Sequence, residues 1–290
     1  MSIKQNLTIS EETIESIRKI SYFRESFYRD LNIFGTIDFF MRRHVQPLSK
    51  IFDISNCIAM DGGAGFGWFS IAYLLAGGRG VVAVEPDRER LEAAKKIATV
   101  FSVVDKMEFI VSPIQDIPNM SNTIDLFVSI ETMEHVGKNN IVPAFKRMKE
   151  IATQGILLTT PNKFFPVVVH DTRLPFIHWL PPARRKKYAR LFGREKLDEG
   201  NDFISPSDIG ILLDKFQPAS TCLTFQSFKD YQDHFPFYLP YGSNEKSRVV
   251  QRPSRGQSLY YRIASAALGR HSYWIMPSLA HIFKLRNKAV

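Results

Sequence analysis

A chain of 290 residues with 44% hydrophobic and 23% charged side chains can bury one sizeable core and carry an appendage, which excludes a disordered or fibrous protein. Two cysteines, Cys57 and Cys222, exclude a disulfide-stapled scaffold, and with no leader of charged, apolar and small-residue regions they lead us to expect a reducing, cytoplasmic setting. A formal net charge of +9 and a sequence pI near 9.5 point to an anionic partner: lipid headgroups, nucleic acid, or a phosphorylated or acidic substrate.

No apolar run reaches the roughly 18 residues of a membrane-spanning helix, so any membrane contact is expected to be peripheral, at the inner face. Residues 11–50 read as helical, with Ile14, Ile17, Ile20 and Phe23 at three-residue steps and Phe27, Leu31 and Phe34 continuing the stripe. This N-terminal cap, residues 1–50, is expected to cover the binding site that follows. Strands and helices then alternate: Cys57–Met60, a helix from Phe66, Gly80–Val84, helix Arg88–Phe101, Met107–Val111, Ile124–Ile130, a helix from about Asn140, and Gly155–Thr159. That order predicts an α/β fold, a doubly wound and mostly parallel Rossmann-like sheet.

Between the first strand and its helix stand Asp61, Gly63, Gly65 and Gly67, with glycine at every second position. This is a nucleoside-binding loop, in which missing Cβ atoms let the backbone pass close beneath a ligand. It differs from the dinucleotide fingerprint G-x-G-x-x-G, because counting from Gly63 puts Trp68 at the third glycine's place. The second strand ends in Glu85, an acid about 20 residues after the loop, where a ribose-binding carboxylate is expected. The fourth strand runs into Glu131-x-x-Glu134-His135, a spacing that puts both carboxylates and the imidazole on one face of a helical turn. Such a set can hold a hard divalent cation such as Mg²⁺; without a metal, His135 is a candidate general base.

After Thr160 the texture changes. Residues 161–182 are apolar, aromatic and broken by prolines, an irregular stretch beyond the carboxyl end of a strand, which we read as the start of an acceptor lid over 161–200. Its two histidines, His170 and His178, are further candidate bases. Residues 183–196 pack seven basic side chains into fourteen, with Tyr188, Leu191 and Phe192 as an apolar edge, the pattern of a surface-binding helix. Ser205-Pro-Ser-Asp208 opens another helix. The core domain is expected over 51–218, followed by a basic and aromatic extension over 219–290 that lies on a membrane surface or packs on the domain.

The string Asp61-x-Gly63-x-Gly65-x-Gly67 resembles the cofactor loop of class I S-adenosylmethionine (SAM) methyltransferases, and Glu131-x-x-Glu134-His135 resembles the same position in the ubiquinone-pathway O-methyltransferases, the small-RNA 2′-O-methyltransferases and the wider type-11 group. The resemblance covers about residues 55–165 and implies SAM as cofactor. It implies Asp61 beside the methionine ammonium, Glu85 on the ribose hydroxyls, Pro86 and Asp87 beside the adenine, and Ile130 in the cofactor site. It implies Glu131, Glu134 and His135 as metal ligands where Mg²⁺ is used, with His170 or His178 completing the shell. One departure stands after the third strand: Ser112-Pro-Ile-Gln-Asp116 replaces the usual Gly-Asp-Ala-Glu-Asp, so the adenine contact falls to Asp116, to Gln115 or to the Ile114 backbone.

The expected function is SAM-dependent O-methylation of a hydroxyl on a small-molecule, glycan or lipid-linked acceptor, most plausibly an anionic one. The alternatives are an RNA 2′-O-methyltransferase, for which no RNA-binding module is seen, and a non-catalytic SAM-binding regulator or scaffold.

Overall fold

A computed structural model describes residues 9–120, 123–167, 172–197, 200–220 and 255–286. Four short helices lead: α1 (Glu11–Arg18), α2 (Ser21–Glu25), α3 (Ile33–Phe40) and α4 (Gln46–Ser49), the last two joined by a π-helical turn, Met41–Val45. Side chains set where they begin. Ser10 accepts the amide of Thr13 ahead of α1, and Asn32 accepts that of Gly35 ahead of α3, each satisfying an amide that has no partner inside the helix.

The alternation then appears as β1 (Ile58–Gly62), α5 (Trp68–Leu75), β2 (Gly80–Val84), α6 (Arg88–Val100), β3 (Met107–Ile110), β4 (Leu126–Ile130), α7 (Ile141–Ile151) and β5 (Gly155–Pro161). Helix α6 starts where Asp87 accepts the amides of Glu89 and Arg90, and it buries Leu91, Ala94, Ile97 and Ala98 along one stripe. Past β5 come α8 (Pro182–Leu191), α9 (Pro206–Ile209), β6 (Phe216–Ser220), α10 (Arg255–Leu268) and β7 (Ser278–Leu285). Ser205 and Asp208 form a reciprocal cap at the start of α9, as their spacing predicts.

The seven strands lie in the order β3-β2-β1-β4-β5-β7-β6. The first five are parallel; β7 runs antiparallel between β5 and β6, pairing Leu158 with His281. Both faces are covered, so the central strands read as nearly continuous apolar runs. Ala59, Val81, Leu126, Val128, Leu157 and Ile282 face α1–α6, and Met60, Val82, Phe127, Ile156, Leu158 and Phe283 face α7 and α9.

Two features go beyond the sequence reading. Strand β7 comes from the stretch expected as a C-terminal extension that lies on a membrane surface or packs on the domain; burial of Leu279, Ala280, Ile282 and Phe283 makes it an inner strand of the main sheet. Its pattern is interrupted by His281, which is buried and held down at about 4 because water cannot reach its charged form. The N-terminal helices are part of the core, since Ile17, Phe23, Ile33, Ile37, Val45 and Leu48 join the cluster on the first sheet face. Among the described residues no helix is long and apolar enough to cross a membrane.

Candidate functional site: a glycine loop and the strand ends beside it

The site lies at the carboxyl ends of β1, β2, β4 and β5, where a doubly wound sheet leaves a crevice. After β1 the chain turns back on β2, and the amides of Gly63 and Ala64 both donate to the Val84 carbonyl at 2.8 and 2.9 Å. Gly63 stands at φ +81°, and a Cβ there would come within 2.2 Å of the Thr132 side chain. The glycine therefore locks the loop against the segment following β4. Gly65 differs: its φ is +57°, yet a Cβ would meet nothing nearer than Arg90 Cδ at 3.9 Å. The space above Gly65 is open, which suits a ligand passing over bare backbone. Gly67 ends the loop as the left-handed residue preceding α5.

Asp61 points from β1 into this loop, buried, and accepts a 2.6 Å hydrogen bond from Ser70 Oγ in the first turn of α5. Its carboxyl is pushed up to about 7, chiefly because burial strips its water; Ser70 opposes this, and the charge of Glu85 adds to it. The sign follows directly. The native state keeps a proton that an unfolded Asp has lost, so unliganded stability declines as pH rises from about 4 to about 7. A cationic ligand favours the ionised form. Affinity for SAM, whose ammonium would face Asp61, is therefore expected to climb by up to about tenfold per pH unit below 7 and then level off. Calorimetric titrations between about pH 6 and about pH 8 check this, with Asp61→Asn expected to flatten the profile.

Glu85 is buried at the end of β2, and its two oxygens accept the amides of Gly65 at 2.9 Å and Asp87 at 3.3 Å. Arg90 Nη1 lies 4.0 Å away, so the carboxylate is held at the loop by backbone and cation together. Pro86 is exposed beside it. Asp87, besides capping α6, accepts a 2.8 Å bond from Tyr22 Oη of α2. The Arg90 amide holds the Asp87 carboxyl below its usual range, and the bond to Asp87 raises the Tyr22 phenol. Phe66, inside the glycine loop, packs edge-on to Phe23 at 5.2 Å and to Tyr28 at 5.7 Å, under Arg90 at 5.9 Å. The N-terminal cap thus reaches the cofactor loop itself.

Gln115 and Asp116 lie on a single turn after β3, with Gln115 Nε2 3.4 Å from an Asp116 oxygen. Ile114 of that turn is 3.4 Å from where a Gly62 Cβ would stand, so the turn flanks the loop. Ile130 ends β4 opposite Thr159, and Glu131 next to it takes a left-handed backbone at φ +49°, a strained conformation for a residue with a Cβ.

On the acceptor side, Glu134 is buried, accepts a 3.0 Å bond from Thr160 Oγ1 of β5, and lies 4.0 Å from His135 Nε2. The His135 ring is half exposed. Glu131, Glu134 and His135 do not converge as the metal reading expects: among the described residues no group of three or more His, Cys, Asp or Glu side chains could hold a metal ion. The strained turn at Glu131 separates it from the Glu134–His135 pair, which sits on its own turn, Met133–His135. His178 is buried within the lid, its Nε2 3.0 Å from the Lys163 carbonyl and its ring edge-on to Phe203. Burial lowers its pKa. Through Nε2 it ties this segment back to the chain just after β5. His170 lies outside the described residues. Ser70, Tyr22, Arg90, Thr132 and Thr160 escape the sequence reading, because their roles rest on contacts that no motif in the chain marks.

Residues 59–155 match a family model described as a methyltransferase domain. No curated protein matches. A putative sarcosine dimethylglycine methyltransferase from Galdieria sulphuraria is similar at 11% identity and a TM-score of 0.50, covering 82% of each chain. Magnesium protoporphyrin IX methyltransferase from Synechocystis PCC 6803, with bound S-adenosylhomocysteine, is similar at 16% identity and a TM-score of 0.48, covering 72% of this chain and 86% of that one. Geranyl diphosphate C-methyltransferase from Streptomyces coelicolor A3(2) is similar at 12% identity and a TM-score of 0.45, covering 85% of this chain and 79% of that one. At such identities the likeness is one of fold. Taken with a glycine loop left open above Gly65 and an acid at the end of β2, the match over residues 59–155 and the order of the sheet give this chain a methyltransferase domain on the fold of the class I SAM-dependent methyltransferases.

Proposed function

We propose that the protein transfers the SAM methyl group to an oxygen, the hydroxyl of a small-molecule, glycan or lipid-linked acceptor bearing negative charge. The observation that carries this reading is the Glu134–His135 pair beside Thr160, at the strand ends next to Thr132 and the glycine loop. A hydroxyl needs a base as it attacks, and a half-exposed imidazole backed by a buried carboxylate supplies one. Asp61, the loop glycines and Glu85 hold SAM, with the turn 114–116 flanking the loop that carries them. When bound, SAM supplies a methyl group on a positively charged sulfur, a strong electrophile.

His135 Nε2 would take the acceptor's hydroxyl proton. Glu134, unable to leave its bond to Thr160, would stabilise the resulting imidazolium across 4.0 Å. Exclusion of water by the segment after β5 would strengthen that interaction and keep the sulfonium from losing its methyl group unproductively. The protein's excess of cationic side chains supports an anionic acceptor.

The test is transfer of radiolabelled methyl from SAM into lipid, glycan, RNA, protein and small-metabolite fractions of host extract. The expected result is label in a lipid, glycan or small-metabolite pool as a methyl ether. Label on nitrogen or carbon, or in RNA, would overturn the reading. Tight SAM binding with no label in any pool would leave the regulator or scaffold reading in its place.

A further inference from the structure

Among the described residues, the lid and the last helix leave an aromatic surface exposed. Phe176 and Trp179 pack together with ring centroids 4.9 Å apart, yet they are 50% and 49% exposed. Both are tied to the chain just after β5: the Phe176 amide donates to the Pro166 carbonyl at 2.7 Å, and Trp179 Nε1 to the Lys163 carbonyl at 2.6 Å. Phe164, in the same segment, stacks on Trp274 at 6.1 Å, and both remain partly exposed. Phe165 meets Tyr260 of α10 at 5.8 Å. Helix α10 turns Tyr261 and Ala264 inward against Met276, and presents Leu259 and Ile263, one turn apart, to the outside.

Helix α8 packs on the same lid segment. Arg185 and Ala189 are buried, and Ala189 packs with Leu174 and Ile177 of the lid. Arg184, Lys187 and Leu191 fall on one exposed stripe with Lys186 beside it, and the helix contains no acid. At its end Leu191 and Phe192 stand 75% and 57% exposed. Cations ahead of a protruding apolar tip, next to exposed indole and phenyl rings, form an interfacial pattern: aliphatic groups enter the acyl boundary and the basic side chains meet headgroup phosphates.

We infer that this face docks on an anionic lipid bilayer. The occupant follows from charge and shape. Two copies of the chain would bring their basic stripes together, which is repulsive. A nucleic acid would use the cations and rings but has no place for the aliphatic tips Leu191, Leu259 and Ile263, which do not stack on bases. An anionic bilayer uses all three. The inference is independent of which acceptor is methylated, although docking there would bring a lipid-linked acceptor to the lid.

The test is sedimentation of the full-length protein with phosphatidylglycerol/phosphatidylcholine vesicles and with phosphatidylcholine vesicles alone. Partitioning is expected to be at least about tenfold stronger on the anionic vesicles and to weaken with salt. The triple variant Arg184→Glu, Lys186→Glu, Lys187→Glu and the double variant Leu191→Ser, Phe192→Ser should each lose about tenfold or more, while SAM affinity and near-ultraviolet circular dichroism stay as in the parent. Arg185 is left unchanged because it is buried with its guanidinium 3.4 Å from the Asn201 carbonyl, so altering it would test folding. Absence of sedimentation with either vesicle, equal partitioning onto both, or unaltered partitioning of folded variants would overturn the inference. So would preferential binding of a single-stranded RNA oligonucleotide, or a concentration-dependent dimer that the same variants abolish.

Discussion

Gly65→Val is expected to fold and to lose SAM binding by more than about a hundredfold. The two halves of that expectation come from one observation: a Cβ at Gly65 meets only Arg90 Cδ, at 3.9 Å, so the side chain has room in the unliganded protein and occupies ground the ligand needs. The left-handed backbone at φ +57° costs a residue with a Cβ about 1–2 kcal/mol, tolerable within a typical stability of about 5–15 kcal/mol. Gly63→Ala is the contrasting variant, since its Cβ would stand 2.2 Å from Thr132 and the loop itself must move. Thermal melts paired with calorimetry on SAM and S-adenosylhomocysteine separate the cases. A folded Gly65→Val protein with parental affinity would show that the cofactor lies elsewhere.

The second large effect is on turnover. With the acceptor identified by methyl labelling, His135→Ala should lower kcat by about 10² to 10⁴-fold, the usual contribution of a positioned base, and leave SAM affinity unchanged. Glu134→Gln should cost less, about tenfold, because the amide can keep its bond to Thr160 while losing the negative charge that supports an imidazolium. The pair acts as a unit, so the double variant should be little worse than His135→Ala alone. The readout that separates chemistry from packing is the split between kcat, which should fall, and SAM affinity and thermal melting, which should stay as in the parent. A rate that instead collapses on adding a chelator, with His135→Ala weakening metal binding, would return Glu131, Glu134 and His135 to the ligand set that their spacing suggests.

The cofactor half of the site is written in short-range chemistry. Asp61, Gly63, Gly65 and Gly67 lie within seven residues, and Glu85 and Asp87 follow a strand whose apolar run ends on them. Turn conformations, caps and strand ends depend on neighbours a few positions apart, so such a pattern is visible in one dimension. The acceptor half is not written that way. Glu134–His135 alone fits a metal site, a base or a helix start, and its bond to Thr160, 26 positions on, is visible only in the fold. His178 reads like His135 in the chain and differs only because Lys163 and Phe203 close over it.

The alternation of apolar runs, the glycine spacing and the acid after the second run were enough to identify a parallel α/β sheet and a candidate cofactor loop. They were enough because backbone sterics and helix or strand periodicity act locally. The antiparallel seat of β7 between β5 and β6, the closing of Tyr22 onto Asp87 across 65 positions, and the support of Asp61 by Ser70 were settled in three dimensions. The first two depend on burying one segment against another far along the chain, and the third on how α5 packs against β1. The free energy of that burial belongs to the pair of surfaces, and no single stretch of residues carries it.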